Sequence, residues 1–262
     1  SYLVPIDFTS ASFNALKLAE NLAEKTGAEL QLLHFCETID DVETARERLE
    51  AVFTKKDVKV NHVVRIGTYE EIGKTALELD SEFIFMGSHG AKGLQKISGS
   101  NALKTILDSE TPYIVVQDGT YHDNMKDIVV PISFHVENIQ KLRETSKLAK
   151  SFDSTIHLVC SWPKEENAKL TVTVNLETAK QFLNDEGVKF SIFKSAGKFN
   201  EDTLRVAELK NAGLIAIMNM QKGSLVAAGI LGKDYEQQLM DNKRKIPVLI
   251  MNPNMDKSAR LV

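Results

Sequence analysis

The chain has 262 residues, of which 43% are hydrophobic and 26% charged, and these proportions exclude a disordered chain and a collagen-like repeat. The net charge of −4 argues against a broadly basic nucleic-acid-binding protein. The two cysteines, Cys36 and Cys160, belong to no CxxC pair or Cys/His cluster, which argues against a disulfide framework and a structural zinc site.

The first half alternates between short apolar strands and segments whose apolar residues recur at helical spacing. Strands are predicted over Tyr2–Ile6, Leu30–Phe35, Val58–Ile66, Phe83–Met86 and Tyr113–Val116. Helices are predicted between them, from Thr9 or Ser10 to Gly27, over 42–52, over Tyr69–Glu78 and from Ser100 to Asp108. Because repeated strand–helix–strand units make right-handed crossovers, this order predicts a parallel sheet with helices on both faces.

The pattern then starts again after a polar segment. Residues 130–134 repeat residues 4–8 at an offset of 126 positions, and later matches occur at offsets of 126, 130 and 132, up to a last strand over Pro247–Met251. We place the first domain at residues 1–120, a linker at 121–126 and the second domain at 127–262. The predicted fold is α/β, with two tandem Rossmann-like or flavodoxin-like domains, each with a five-stranded parallel sheet.

A glycine-rich loop follows the fourth strand and leads into a helix. It contains Gly87, Gly90 and Gly99, with Ser100 at the start of the helix. Glycines let the backbone approach a ligand closely, and the first amides of a helix bind anions, so this loop suits a phosphate. It is neither a Walker P-loop nor the GxGxxG of a dinucleotide-binding domain.

These segments together resemble the universal stress protein family. The resemblance is carried by VPIDFTSAS at the end of the first strand, LLHFCE at the second, MGSHG after the fourth, GS opening a helix, and a final PYIVV strand. It covers the chain twice, as in the tandem members, and implies an adenine nucleotide alpha hydrolase-like fold.

The resemblance also implies an ATP site in the first domain. The residues that correspond to the family's binding residues are Pro5, Asp7, Phe35, Met86, Gly87, His89, Gly90, Gly99, Ser100 and Asn101. Asp7 and the Phe35 backbone would contact the adenosine, Met86 and Gly87 would line the pocket floor, and Gly90, Gly99, Ser100 and Asn101 would hold phosphates. The family has nine residues between the second and third glycines, whereas eight separate Gly90 from Gly99 here.

The second domain departs from this pattern. Ser133 stands at the position of Asp7, Asn219 and Lys222 replace two glycines, and Lys233 stands where the serine would be. Because side chains at the glycine positions block close approach of the backbone, we expect no nucleotide in this domain.

Two classes of function follow. The first is a stress-response regulator that binds ATP, with or without Mg²⁺, in the first domain. The second is a scaffold that binds no nucleotide and acts through protein partners, which the short loop and the bulky Phe35 favour. No catalytic residue or metal site is predicted, and slow ATP hydrolysis is the most activity we expect. His89 is the candidate general base, but the sequence fixes no carboxylate or nucleophile near it.

The partners expected are an adenine nucleotide and, as an alternative, a protein partner or a second copy of the chain. The first residues lack the features of a signal peptide, and the longest apolar stretch, Leu225–Leu231, is far shorter than the ~20 residues of a membrane span. We therefore expect a cytoplasmic protein with no membrane insertion and no nucleic-acid partner. The duplication predicts an intrachain pseudo-dimer and leaves a homodimer open.

Several other residues have competing interpretations. We interpret His34 and His157 as core or edge histidines with satisfied hydrogen bonds. The apolar segment Gly223–Gly232 either packs over the empty pocket of the second domain or forms an exposed patch for a partner. The basic run Lys243–Lys245 is interpreted as a solvated surface, with an acidic partner as the alternative.

Overall fold

The computed structural model describes residues 1–52, 56–88, 109–119, 125–133, 135, 139–195, 197–219, 235–240 and 242–253, with the backbone alone for 235–237. The chain divides into two compact units, the first over Ser1–Tyr121 and the second over His122–Val262.

The first unit contains a parallel sheet of five described strands. They are β1 (Tyr2–Pro5), β2 (Leu30–Cys36), β3 (Val60–Ile66), β4 (Phe83–Ser88) and β5 (Tyr113–Gln117). Their order across the sheet is β3-β2-β1-β4-β5, and every neighbouring pair is parallel. Since β1 lies between β2 and β4, the chain reverses its direction of travel beside β1, and the carboxyl ends of these strands form the crevice where ligands bind in open parallel sheets.

Three described helices accompany this sheet, α1 (Ser10–Thr26), α2 (Val42–Glu50) and α3 (Ile72–Glu78). The predicted helix over Tyr69–Glu78 consists of a 3₁₀ turn over Tyr69–Glu71 followed by α3. Thr9 caps the start of α1, and Gly27 ends it with a φ of 75°, a conformation that glycine adopts without steric cost. The helix predicted from Ser100 lies outside the described residues.

The second unit repeats the arrangement. Its described strands are β6 (Asp127–Ile132), β7 (Thr155–Cys160), β8 (Lys189–Lys194), β9 (Leu214–Met218) and β10 (Val248–Met251). They lie in the order β8-β7-β6-β9-β10 and pair in parallel. The described helices are α4 (Lys141–Phe152), α5 (Glu166–Asp185), α6 (Phe199–Leu209) and α7 (Tyr235–Met240).

The five described parallel strands of each unit, with their flanking helices, confirm the predicted α/β architecture. Helix α4 ends at Asp153, which has a φ of 50° and lies 126 positions after Gly27. The repeat therefore keeps a left-handed backbone conformation at the residue that ends this helix, although glycine has been replaced. Aspartate is one of the few other residues that tolerate that conformation.

The centre of each sheet is apolar. In the first unit Tyr2, Phe83 and Phe85 are buried, and the Tyr2 ring lies 5.8 and 5.3 Å from the two phenylalanine rings. The Tyr2 hydroxyl donates to Thr26 Oγ1 at 2.9 Å, so the one polar atom of this cluster is satisfied at the end of α1.

No helix among the described residues is long and apolar enough to cross a membrane.

Candidate functional site

Asp7 follows β1 and organises the start of α1. Its Oδ1 accepts hydrogen bonds from the Thr9 amide at 3.0 Å and the Thr9 hydroxyl at 2.6 Å, and Thr9 Oγ1 in turn accepts from the Ser12 amide. Burial raises the pKa of Asp7, but the hydrogen bonds from Thr9 and Ser12 outweigh it, and the pKa lies below its ordinary value. A negative charge is thus fixed at the carboxyl end of β1.

This shift makes the stability of the first unit depend on pH. Because the pKa of Asp7 is lower in the folded chain than the ~3.9 of a free aspartate, its ionised form stabilises the fold above about pH 4, and the contribution is lost as pH falls through the folded pKa. Asp7→Asn is expected to reduce the free energy of unfolding by about 1 kcal/mol at pH 7 and by much less near pH 3. Urea denaturation at both pH values measures this, and an equal loss at both would contradict it.

The residue between Asp7 and Thr9 has an unusual backbone. Phe8 has a φ of 62°, which is uncommon for a bulky residue. Its ring is held from two sides, since the Arg48 guanidinium carbon lies 3.8 Å from the ring centroid and the His34 ring lies 4.8 Å away. His34 Nδ1 lies 2.6 Å from the Ile6 carbonyl oxygen and donates to it. These contacts fix the loop that carries Asp7, and sequence reasoning missed Arg48 altogether.

Two aromatic rings lie at the carboxyl ends of β2 and β3. Phe35 is 8% exposed, and its ring meets Tyr69 edge-on with centroids 5.7 Å apart. Burial, and then the negative charge of Asp7, raise the pKa of the Tyr69 hydroxyl. Burial also raises the pKa of the Cys36 thiol, with a smaller contribution from Asp41, so Cys36 is not an activated nucleophile. The fold thus brings Asp7, Phe35 and Tyr69 to one edge of the sheet.

Gly87 has a packing role that the sequence did not indicate. A Cβ on Gly87 would lie 2.3 Å from the Ala11 carbonyl carbon and 2.5 Å from the Ser12 nitrogen, and backbone atoms cannot yield as side chains do. The glycine is therefore needed for the first turn of α1 to approach β4. Met86 and Pro5 are buried in the strands β4 and β1, which are neighbours in the sheet.

A second carboxylate lies at the first turn of α1. Asp118 follows β5, and its carboxylate accepts from the Ser10 hydroxyl at 2.7 Å and the Asn14 amide at 3.1 Å. Its own N–H donates to the Ser88 carbonyl. Because Asp118 is 108 positions from Ser10, no local pattern predicts this pairing. It provides a negative charge at the positive end of the helix, where an anionic ligand would otherwise be favoured.

The remaining predicted site residues, His89, Gly90, Gly99, Ser100 and Asn101, lie outside the described residues. So do the Gly223–Gly232 segment, Lys222 and Lys233. Within the part of the chain that is described, no group of three or more His, Cys, Asp or Glu side chains could hold a metal ion.

The corresponding edge of the second unit is built differently. Ser133 replaces Asp7, and the loop that contains it is held from helix α5, because the buried Asn175 amide donates to the carbonyls of Ser133 and His135 at 2.9 Å each. Asn219, at the position of Gly87, is fully buried and donates to Asn252 at 2.6 Å. A side chain thus stands at the position where the first unit has a glycine packed against the backbone of α1.

The second unit also buries a lysine. Lys141 in α4 has 0% exposure and lies 126 positions after Ala15, which is equally buried in α1. Burial holds the pKa of the Lys141 amine well below its usual range. The exchange of alanine for lysine within the repeat was a visible signal that the two interiors differ, and sequence reasoning did not use it.

Comparisons with known proteins agree with this difference between the two units, because the family match lies in the first unit. Residues 2–117 match the Universal stress protein family, which covers the first unit from β1 to β5. The first unit is therefore similar to the universal stress protein family over all five of its described strands. No curated protein is similar enough in sequence to count as a relative.

Solved structures extend the likeness of fold to the whole chain. A universal stress protein from Archaeoglobus fulgidus matches 97% of this chain with 97% of its own, at a TM-score of 0.71 and 19% identity. A putative universal stress protein from Pseudomonas aeruginosa matches 98% of this chain with 94% of its own, at a TM-score of 0.63 and 17% identity. At such low identity these matches establish the fold alone, and their coverage agrees with two tandem α/β units.

Proposed function

We propose that the first unit binds an adenine nucleotide, ATP with or without Mg²⁺, at the carboxyl ends of β1, β2 and β4, and that the protein acts as a stress-response regulator. The observation that carries the proposal is the convergence of Asp7, Phe35 and Tyr69 at this edge. An ionised carboxylate beside aromatic rings suits the ribose hydroxyls and purine of a nucleoside.

The chemistry of Asp7 agrees with this role. Its pKa is depressed, so it accepts hydrogen bonds as a carboxylate at neutral pH. Each carboxylate oxygen accepts more than one hydrogen bond, so ribose hydroxyls can be added to the bonds from Thr9. The phosphates are assigned to Gly90, Gly99, Ser100 and Asn101 by the family resemblance, with Pro5, Met86, Gly87 and His89 completing the proposed site.

The negative charge of Asp118 at α1 disfavours phosphates at the start of that helix, which agrees with their assignment to Gly99 and Ser100 instead. In the second unit, Ser133 and the buried Asn219 remove both the carboxylate and the glycine, so we propose no nucleotide at the corresponding place. Residues 1–120 would then be the binding domain and 127–262 its degenerate copy.

Calorimetric titration of the nucleotide-free chain with ATP and Mg²⁺ tests the proposal. We expect about one equivalent to bind, with a Kd raised at least 10-fold by Asp7→Asn, since one charged hydrogen-bond acceptor is worth about 1.4 kcal/mol or more. Gly99→Val is expected to abolish binding. Ser133→Ala, at the position of Asp7 in the second unit, is the matched control and should leave the Kd unchanged.

A specific observation favours the alternative function. Phe35 packs on Tyr69 and is nearly buried, so its ring offers little free surface on which a purine could stack. If the purified chain carries no nucleotide and releases no heat with ATP up to millimolar concentrations, the nucleotide proposal is wrong and a scaffold that acts through protein partners takes its place.

A further inference from the structure

We propose that Ser191 in the second unit is an activated nucleophile, with His157 as its general base and Asp127 as the residue that positions the histidine. His157 Nδ1 lies 2.6 Å from Ser191 Oγ, and His157 Nε2 lies 2.6 Å from Asp127 Oδ1. Serine, histidine and aspartate in series are the groups that activate a serine for acyl transfer.

The hydrogen bonds determine which ring nitrogen acts as the base. A carboxylate only accepts, so His157 Nε2 must carry the proton that is donated to Asp127. The neutral ring then presents the lone pair of Nδ1 to the Ser191 hydroxyl, which is the arrangement that removes the serine proton. The imidazole is 3% exposed, so its orientation is held by the surrounding sheet.

The register of three adjacent strands creates this arrangement. His157 on β7 is the direct partner of Ser191 on β8 and of Val129 on β6, two residues beyond Asp127. Side chains two positions apart on a strand share a face of the sheet, so all three groups project from one face. The Phe193 ring lies 6.0 Å from the His157 ring on that face.

The first unit shows that the fold does not require these residues. The same register positions there hold Ser1 just before β1, Gln31 on β2 and Asn61 on β3, and none of these side chains can act as a base near neutral pH. At these positions the repeat therefore builds the same strands without a Ser-His-Asp series, so the strand arrangement by itself does not require the series.

Ser191 also has the access and the neighbouring donor that a nucleophile needs. It is partly exposed on β8, the last strand of this sheet. The Ser195 amide donates to the Cys160 carbonyl on β7, and amides alternate sides along a strand. The Ile192 N–H therefore points away from β7, to the side where no further described strand lies. The N–H of the residue after a nucleophilic serine is a recurrent donor to the oxyanion.

The reaction is acyl transfer from an activated ester. Ser191 Oγ attacks the acyl carbon while its proton passes to His157 Nδ1, the bond to the leaving oxygen breaks, and that oxygen takes the proton from His157. Water then attacks the acyl-serine, loses a proton to His157 and releases the acid, and the proton returns to Ser191. With a fluorophosphonate the Oγ–P bond forms, fluoride leaves with the serine proton as hydrogen fluoride, and the adduct is stable.

The experiment treats the full chain with a fluorescent fluorophosphonate and maps the adduct by mass spectrometry. We expect a single adduct on Ser191 that is lost in Ser191→Ala and formed at least 10-fold more slowly in His157→Gln. Ser151→Ala is the matched control, because Ser151 is exposed and donates only to a backbone carbonyl in the hydrogen bond that the structure shows. This variant should form the adduct on Ser191 at the wild-type rate. Circular dichroism verifies that each variant is folded.

The role of Asp127 has its own readout. Asp127→Asn should slow labelling about 10-fold, whereas Asp127→Glu should restore most of the rate, a rescue that a purely structural role would not produce. Absence of labelling in the folded wild-type chain, or an adduct that survives Ser191→Ala, overturns the proposal. The series would then only satisfy the buried histidine.

Discussion

Replacement of Gly87 by alanine should lower the free energy of unfolding by about 3 kcal/mol. The added Cβ would lie 2.3 Å from the Ala11 carbonyl carbon, so β4 and the first turn of α1 must separate. Extra carbon atoms in a well-packed interior cost typically 1–3 kcal/mol, and contacts with backbone cost most because they cannot rotate away. Urea denaturation followed by circular dichroism measures the change.

Gly73→Ala in α3 is the matched control for that variant. Its Cβ would meet the Ser109 side chain at 3.1 Å, and a small shift of Ser109 relieves the contact. Alanine also favours a helix over glycine by about 1 kcal/mol, so a change within about 1 kcal/mol is expected. A Gly87→Ala protein with the wild-type unfolding midpoint would show that the contact with Ala11 is not tight.

Replacement of Asn175 by alanine should cost the second unit about 2–4 kcal/mol. The buried amide donates to two backbone carbonyls, those of Ser133 and His135, and its removal leaves both without this donor. Each lost buried hydrogen bond costs about 1–3 kcal/mol. Trp162 is the single tryptophan of the chain and lies in the second unit, so its fluorescence during urea denaturation reports this loss directly.

Asn184→Ala on the same helix controls for loss of an asparagine. Asn184 is exposed, and alanine is a better helix former, so the variant should be as stable as the wild type or slightly more stable. Equal effects of the two substitutions would mean that the bonds from Asn175 contribute nothing to holding the loop after β6.

Gly87 and Asn175 show that the two units hold the loop after their first strand by different contacts. In the first unit the strand, the loop and α1 meet through Asp7, Thr9 and the absence of a side chain at Gly87. In the second unit, a side chain stands at the glycine position, as Asn219, and the loop is held from α5 by Asn175. The divergence of the second unit therefore includes new contacts as well as the lost glycine motif.

The sequence alone determined the architecture. Apolar runs such as Leu30–Phe35, the helical spacing in α1 and the end at Gly27 are local patterns, and local patterns report the period of the backbone and which face is buried. The repeat of residues 4–8 at 130–134 then predicted a second unit of the same topology. Five parallel strands are described in each unit, in the predicted element order.

The contacts of the site were decided by tertiary structure. The sequence placed Asp7, Phe35 and Gly87 at strand ends, but it did not indicate that Asp118 joins Ser10 or that Gly87 meets Ala11. The Ser191, His157 and Asp127 side chains lie on three strands, and their hydrogen bonds depend on the register between those strands. Register and helix docking are set by packing between segments far apart in the chain, which periodicity within one segment does not encode.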